Sequence, residues 1–311
     1  MDAQVWCCLK RACYSVIMTM TISCGQQTTG NLSAVSSSSK SYSPPISTSG
    51  ISKLIGDTPL ANNPNVSVGV PSAGNNPEIM ISRKQYVISW NHQFRQPNFV
   101  AWRLSNADMG KVQRQNNFAV DPELHRHLSE RGVGRAVEPN EYQGSCFDRG
   151  HLIPSADRTA NVADNSQTFL MSNMMPQTAH LNRVTWQHLE HHARTLVRGT
   201  NDTLFIVAGP VFAESPGHIG PDQDIGVPSH NFKIIVKMDD SGKPQVLASV
   251  LMPNVTSTGT DPIVDHDQAC EDSHSFQDNT LATEDESDWE QYKTPVATIE
   301  QTAGLELSFL H

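Results

Sequence analysis

The amino-acid sequence predicts an α+β domain, on three observations. Short runs rich in β-branched and aromatic residues recur along the chain: Tyr86 to Trp90, Phe99 to Leu104, Thr168 to Met171, Leu204 to Ala208, Phe232 to Met238 and Val246 to Met252. Between the third and fourth of these, Thr178 to Arg198 carries Trp186, Leu189, Ala193, Leu196 and Val197 at helical spacing. A last helix is expected from Pro295 to Thr302, with Thr294 as its cap and Pro295 in its first turn. His92 to Asn98 reads as the loop of a hairpin joining the first two strands.

Three segments frame this domain. Residues 1–24 hold Lys10 and Arg11, a mostly apolar run from Ala12 to Ser23, and then Cys24. That is the layout of a secretory leader and is too short for a membrane span. Ile22-Ser23-Cys24 resembles a bacterial lipoprotein cleavage site, with Thr21 where Leu is usual. Export is therefore expected, to the periplasm, the cell surface or the medium, with a lipid on Cys24 as one form of tether. A plain cleaved signal and an uncleaved anchor are the alternatives. Residues 25–78 are dominated by Ser, Thr, Asn, Pro and Gly and read as a disordered linker. The folded part is expected over 79–311, interrupted by an acidic loop insertion at 256–287.

The net charge of −10 first argues against a nucleic-acid partner. Where the charge lies removes that objection. Eleven acids and no Lys or Arg lie between Thr256 and Glu290, so the remainder carries −10 + 11 = +1. Solvation is the favoured role of this acidity, because its spacing lacks the regular pattern of an EF-hand loop. Cys146 and Cys270 could form a disulfide in an exported protein.

The chemistry is concentrated in Asp148-Arg149-Gly150-His151, followed by Asn182 and then Glu190. An imidazole can take a proton from water near neutral pH. An amide oxygen suits a hard cation that keeps most of its own water. Glu190 and Arg194 lie eight and twelve positions beyond Asn182, close to one helical face. Taken singly, Asn182 could cap the helix and Glu190 with Arg194 could be a surface pair. Their joint occurrence after the tetrapeptide favours one site.

These residues resemble the DNA/RNA non-specific endonuclease family, which includes mitochondrial endonuclease G and secreted bacterial sugar-non-specific nucleases. The likeness runs through Phe147-Asp148-Arg149-Gly150-His151-Leu152-Ile153-Pro154, Phe169 to Gln177, Leu181-Asn182-Arg183, Trp186 to Glu190, Val207-Ala208-Gly209-Pro210, Val227-Pro228 and Phe232-Lys233. It implies a ββα-metal (His-Me finger) nuclease fold, with a central antiparallel sheet flanked by helices. It also implies roles. His151 would be the general base, and Asn182 the direct ligand of Mg²⁺, with Mn²⁺ able to substitute. Glu190 would reach the metal through water, and Asn173 would help to orient His151 or the water network. Arg149, Arg194 and Arg114 would neutralise transition-state charge. Asp148 is expected to support the site rather than bind metal.

The implied substrates are DNA and RNA, single- or double-stranded, met through phosphate and sugar without base readout and cut to leave 5′-phosphate ends. The reading leaves room for a proteinaceous inhibitor. A catalytically weak nucleic-acid-binding protein of the same fold is the alternative. His188, His191 and His192 are expected on a solvated helix face, since Leu189 stands where a zinc protease needs Glu. Asp157 and Arg158 are expected to form a structural ion pair, with contact to the substrate as the alternative.

Overall fold

Strand pairing and two-sided burial organise the chain. The computed structural model describes residues 54–214, 216–262, 265–275 and 287–311. The expected leader, Cys24 and most of the linker lie outside these residues. In chain order the strands are β1 (Leu54–Ile55), β2 (Ile79–Ser82), β3 (Val87–Asn91), β4 (Gln96–Ser105), β5 (Asp148–His151), β6 (Met174–Gln177), β7 (Thr203–Val211), β8 (His218–Ile219), β9 (Ile225–Gly226), β10 (His230–Met238) and β11 (Pro244–Pro253). The α-helices are α1 (Pro122–Arg131), α2 (Val162–Gln167), α3 (Trp186–Val197), α4 (His266–Ser275) and α5 (Val296–Ala303). Short 3₁₀ turns fill several connections. Among the described residues no helix is long and apolar enough to cross a membrane.

A seven-stranded sheet runs in the order β1-β2-β3-β4-β7-β10-β11, antiparallel except for the β1–β2 pair. Its strands alternate between two cores, as a pleated strand with both faces covered must. Ile79, Ile81, Val100, Trp102 and Ile235 join Leu189, Ala193 and Val197 of α3 on one face. Met80, Phe99, Ala101, Phe232 and Ile234 join Leu60, Val66 and Ile299 on the other. The chain is thus α+β, with helices on both faces of a largely antiparallel sheet.

The folded body begins before Ile79. Leu54–Ile55 pairs with β2, and Leu60, Asn63, Asn65, Val66 and Ala73 are buried. Asn63 and Asn65 account for this, because their amides bond Ser82, Arg83 and Lys84 around the end of β2. A composition rich in Asn and Pro concealed specific turn chemistry.

The expected strand over Thr168 to Met171 is also corrected. That stretch is a turn after α2, and the strand lies at Met174–Gln177, where it pairs with the Asp148–His151 segment. Phe169 and Met171 are apolar because they are buried in the turn. The hairpin loop expected over 92–98 is shorter, since β4 already begins at Gln96.

The acidic segment contains a helix rather than only a loop. In α4, Ala269 and Asp272 are buried, and the Asp272 carboxylate accepts from the backbone N–H groups of His180 and Ser257, both at 2.8 Å. Residues 276–286 lie outside the described residues. A Cys146–Cys270 disulfide ties α4 to the loop entering β5, with a Cα–Cα distance of 4.8 Å and a sequence separation of 124.

A crosslink across so long a segment mainly restricts the unfolded chain and contributes about 2–5 kcal/mol. The Cys146→Ser/Cys270→Ser variant should therefore unfold roughly 5–15 °C below the oxidised wild type. Equal melting temperatures under non-reducing conditions would remove the bond from the stability account.

Candidate active site

The antiparallel pair β5–β6 and helix α3 converge on one side of the sheet. In the pair, Asp148 faces Gln177 and His151 faces Met174. Gly150 is required here, because a Cβ at that position would overlap the Gln177 side chain crossing it. The Trp186 indole Nε1 at the start of α3 donates to the His151 carbonyl at 3.1 Å, which locks strand to helix.

His151 is 6% exposed and sits in a box of rings. Its centroid lies 5.0 Å from Phe169 and 5.7 Å from Phe118, both edge-on. The ring is hydrogen-bonded to the Arg149 backbone, and Nε2 has no protein partner among the described residues. That leaves Nδ1 as the donor and Nε2 as a lone pair aimed away from the fold's own donors. Burial pushes the imidazole down to about 3, and the nearby positive charges of Arg114 and then Arg149 act in the same direction. The ring is neutral at physiological pH.

Two arginines stack on the same aromatic walls. Arg149 lies 4.0 Å over Phe118, and Arg114 lies 4.9 Å over Phe169 while donating to Asn116 Oδ1 and Ser155 Oγ. Stacking fixes their planes and leaves guanidinium edges for an anion. With Asp148, Asn182, Asn140 and Tyr142 they line a cleft of about 550 Å³.

Asn182 lies in a π-helical turn, Leu181–Thr185, that leads into α3. Its Nδ2 donates to Asp148 Oδ2 at 2.8 Å, and Arg183 grips both oxygens of the same carboxylate at 2.7 and 2.8 Å. Asp148 is thus a clamp, and it leaves the Asn182 amide oxygen as the group available to a ligand. Glu190 Oε1 is held by Lys233 Nζ at 3.2 Å, and Arg194 donates to Asp157 Oδ1 at 3.2 Å. Burial raises the Glu190 carboxyl and lowers the Lys233 ammonium, while the charge of each opposes the other's shift.

The structure therefore brings His151, Arg149, Arg114, Asn182, Glu190 and Arg194 to one region. Asn173 is different. It is fully buried, its Nδ2 donates to the Ile153 and Thr168 carbonyls, and its Oδ1 accepts from Ile153 N–H. It touches the site only through the backbone after His151.

Two further expectations are corrected. Asp157 pairs with Arg194 and Trp102 Nε1, while Arg158 donates to the backbone carbonyls of Asp157, Gln85 and Arg103. His188 and His192 are not on a solvated face: His188 bonds Asp288 at 2.9 Å and His192 packs on Trp289. The C-terminal 3₁₀ turn, Asp288–Tyr292, covers that side of α3.

Sequence reasoning missed Lys233, which is 1% exposed. Its signal was a lone charge inside Phe232-Lys233-Ile234-Ile235-Val236, on the register of Ile235 and so facing α3. The rings of Phe118 and Phe169 were missed as well, since nothing local links them to His151.

The donor set of one amide oxygen and one carboxylate, with no thiolate or imidazole added, fits a hydrated hard divalent cation. If Asp148 orients Asn182, its replacement should act on the cation without touching it. Asp148→Ala should weaken Mn²⁺ binding about 10- to 100-fold in titration calorimetry. Unchanged affinity would exclude the clamp.

The family profile of the DNA/RNA non-specific endonucleases matches residues 61–311, which contain every one of these side chains. The chain belongs to that family. Among curated relatives, a nuclease of Nostoc sp. is 42% identical over 165 residues, covering 52% of this chain and 56% of the relative. Human mitochondrial endonuclease G is 30% identical over 185 residues, covering 56% and 59%. The chain spans little more than half the length of these relatives. A solved structure described as the EndoG/EndoGI complex and the mechanism of EndoG inhibition superposes with a TM-score of 0.61, over 82% of this chain and 94% of that one. At 22% identity this endonuclease-family likeness speaks for the fold, a ββα-metal nuclease architecture.

Proposed function

We propose that this protein is a Mg²⁺-dependent endonuclease that hydrolyses phosphodiester bonds of DNA and RNA without reading sequence, leaving 5′-phosphate ends. The observation that carries the reading is His151 Nε2, a buried acceptor without a protein partner beside two arginines that have their stacking planes fixed. Such an atom is placed to take a proton from water attacking an anion held by Arg149 and Arg114. Asn182 would hold the cation directly and Glu190 through water. The cation, Mg²⁺ or Mn²⁺ in its place, supplies charge to stabilise the developing negative charge and the leaving oxygen. Arg194, fixed by Asp157, adds positive charge from the helix side. Asn173 supports His151 through the backbone.

Contacts of this kind meet phosphate and sugar, so both nucleic acids, single- or double-stranded, fit as substrates. The test is incubation of plasmid and of RNA with the protein and Mg²⁺, beside a chelated control. Intact nucleic acid in both arms, with binding retained, would favour the catalytically weak binding protein instead. Cleavage should also fall steeply between about 50 and 200 mM salt, because backbone contacts release counterions. A flat salt response would reject that binding mode.

Lys10 and Arg11 followed by the apolar run from Ala12 to Ser23 support export, with a lipid on Cys24 as one form of tether, and cell fractionation tests it. The EndoG/EndoGI complex among similar structures supports a proteinaceous inhibitor as a partner.

A further inference from the structure

Lys233 is a charged residue in the least hospitable part of the molecule. It lies on β10, the strand between β7 and the edge strand β11, between Asn231 and Ile235 on the face covered by α3. Its side chain is 1% exposed. Taking an ammonium out of water costs several kcal/mol, and a methionine of similar length would fill the same space without that cost. Packing alone does not explain a lysine here.

Its contacts do. Nζ donates to Glu190 Oε1 at 3.2 Å and lies 3.9 Å over the Trp186 ring. No other protein hydrogen bond to the Glu190 carboxylate occurs among the described residues, so Oε2 is left as the outward-serving oxygen. The same Trp186 donates through Nε1 to the His151 carbonyl. One ammonium on the sheet therefore supports the carboxylate on α3 and the indole that fixes the strand bearing His151. Its neighbours complete the floor: Trp102 lies 5.9 Å from Nζ and donates to Asp157, which in turn holds Arg194.

We propose that Lys233 is a positioning residue of the active site, holding the Glu190 carboxylate from beneath so that its second oxygen reaches the cation through water. This rests on the metal reading above. Lys233 touches neither cation nor substrate, and its effect on the cation passes through Glu190 alone.

The test is a double-substitution cycle on the full chain, with Mn²⁺ as the probe and the free-ion electron paramagnetic resonance signal as the readout. Lys233→Met should lower Mn²⁺ affinity by about 10-fold, as loss of support behind a ligand does. In a Glu190→Gln background the same substitution should change affinity less than ~2-fold, since the path is already cut. An equal loss in both backgrounds, or wild-type affinity in a folded Lys233→Met, overturns the proposal. If Lys233→Met does not fold, Lys233→Arg decides: affinity within ~3-fold of wild type supports it, and a loss equal to that of Glu190→Gln overturns it. Asn182→Ala run in parallel separates the two readings. Unchanged Mn²⁺ affinity there removes the metal assignment itself, whereas a weakened Asn182→Ala beside an intact Lys233→Met removes only the role of Lys233.

Discussion

His151→Ala should lower phosphodiester hydrolysis by about 10²–10⁴-fold while leaving nucleic-acid affinity within a few-fold. The substitution removes a buried acceptor that has no protein partner among the described residues and leaves the stacked guanidiniums in place. Initial rates on plasmid, with binding measured separately, check this. Activity within ~5-fold of wild type would assign the base elsewhere.

The pH response of the wild type is the sharper form of the same test. Burial, Arg114 and Arg149 hold the free ring down at about 3. The acid limb of kcat/KM, which reports the free enzyme, should therefore lie well below the ordinary imidazole value of 6.5. A bound phosphodiester brings negative charge between the two arginines and raises the ring's proton affinity, so the limb of kcat should lie at higher pH. Identical limbs near 6.5 would contradict the burial of His151.

Stability follows with a definite sign. The unfolded chain takes up a proton near 6.5, whereas the folded ring stays neutral until about 3. The native state is fully favoured above 6.5 in this respect and progressively loses that advantage as pH falls toward 3. His151→Ala should accordingly melt with a weaker acid dependence than wild type. A steeper one would reverse the sign.

Asn182→Ala should abolish tight binding of Mg²⁺ or Mn²⁺, with at least ~10-fold loss of affinity and a comparable or larger loss of activity. Its amide oxygen is the direct ligand in the proposed site, and in the variant Arg183 still grips both Asp148 oxygens and holds the turn to β5. Asn182→Asp should fail to rescue, although carboxylates are the commoner ligands for such cations. The Asn182 Nδ2 donates to Asp148 Oδ2, and an aspartate would set oxygen against oxygen there. Titration calorimetry of all three proteins checks this. Wild-type cation affinity in Asn182→Ala would place the metal on other residues.

Much of the site was legible because its groups are defined by chemical type and sit on two short segments. His151, Arg149, Asn182, Glu190 and Arg194 could be named without any coordinates. The long strands were legible too, within a few residues, because their runs of β-branched and aromatic residues are local. What was not legible depended on partners distant in the chain. The turn at 168–171 reads as a strand until Phe169 is seen packed on His151. The segment before Ile79 reads as tether until Asn63 and Asn65 bond the end of β2. Asn173 is nameable from the sequence, but its route to His151, through the backbone of Ile153, is not.

The helix shows the division most clearly. Counted along a regular α-helix at about 100° per residue, Glu190 falls roughly 80° away from Asn182, too far to share one face well. The π-helical turn at Leu181–Thr185 inserts one residue into the ladder and returns about that angle, to within ~20°. Its local cause is tertiary: Asn182 and Arg183, adjacent in sequence, both reach Asp148 on β5. By itself the sequence determined the family and named the candidate reacting groups. Their common direction, and the buried lysine beneath them, were decided only when strand, helix and sheet closed on one another, because hydrogen bonds across 34 and 43 residues set both.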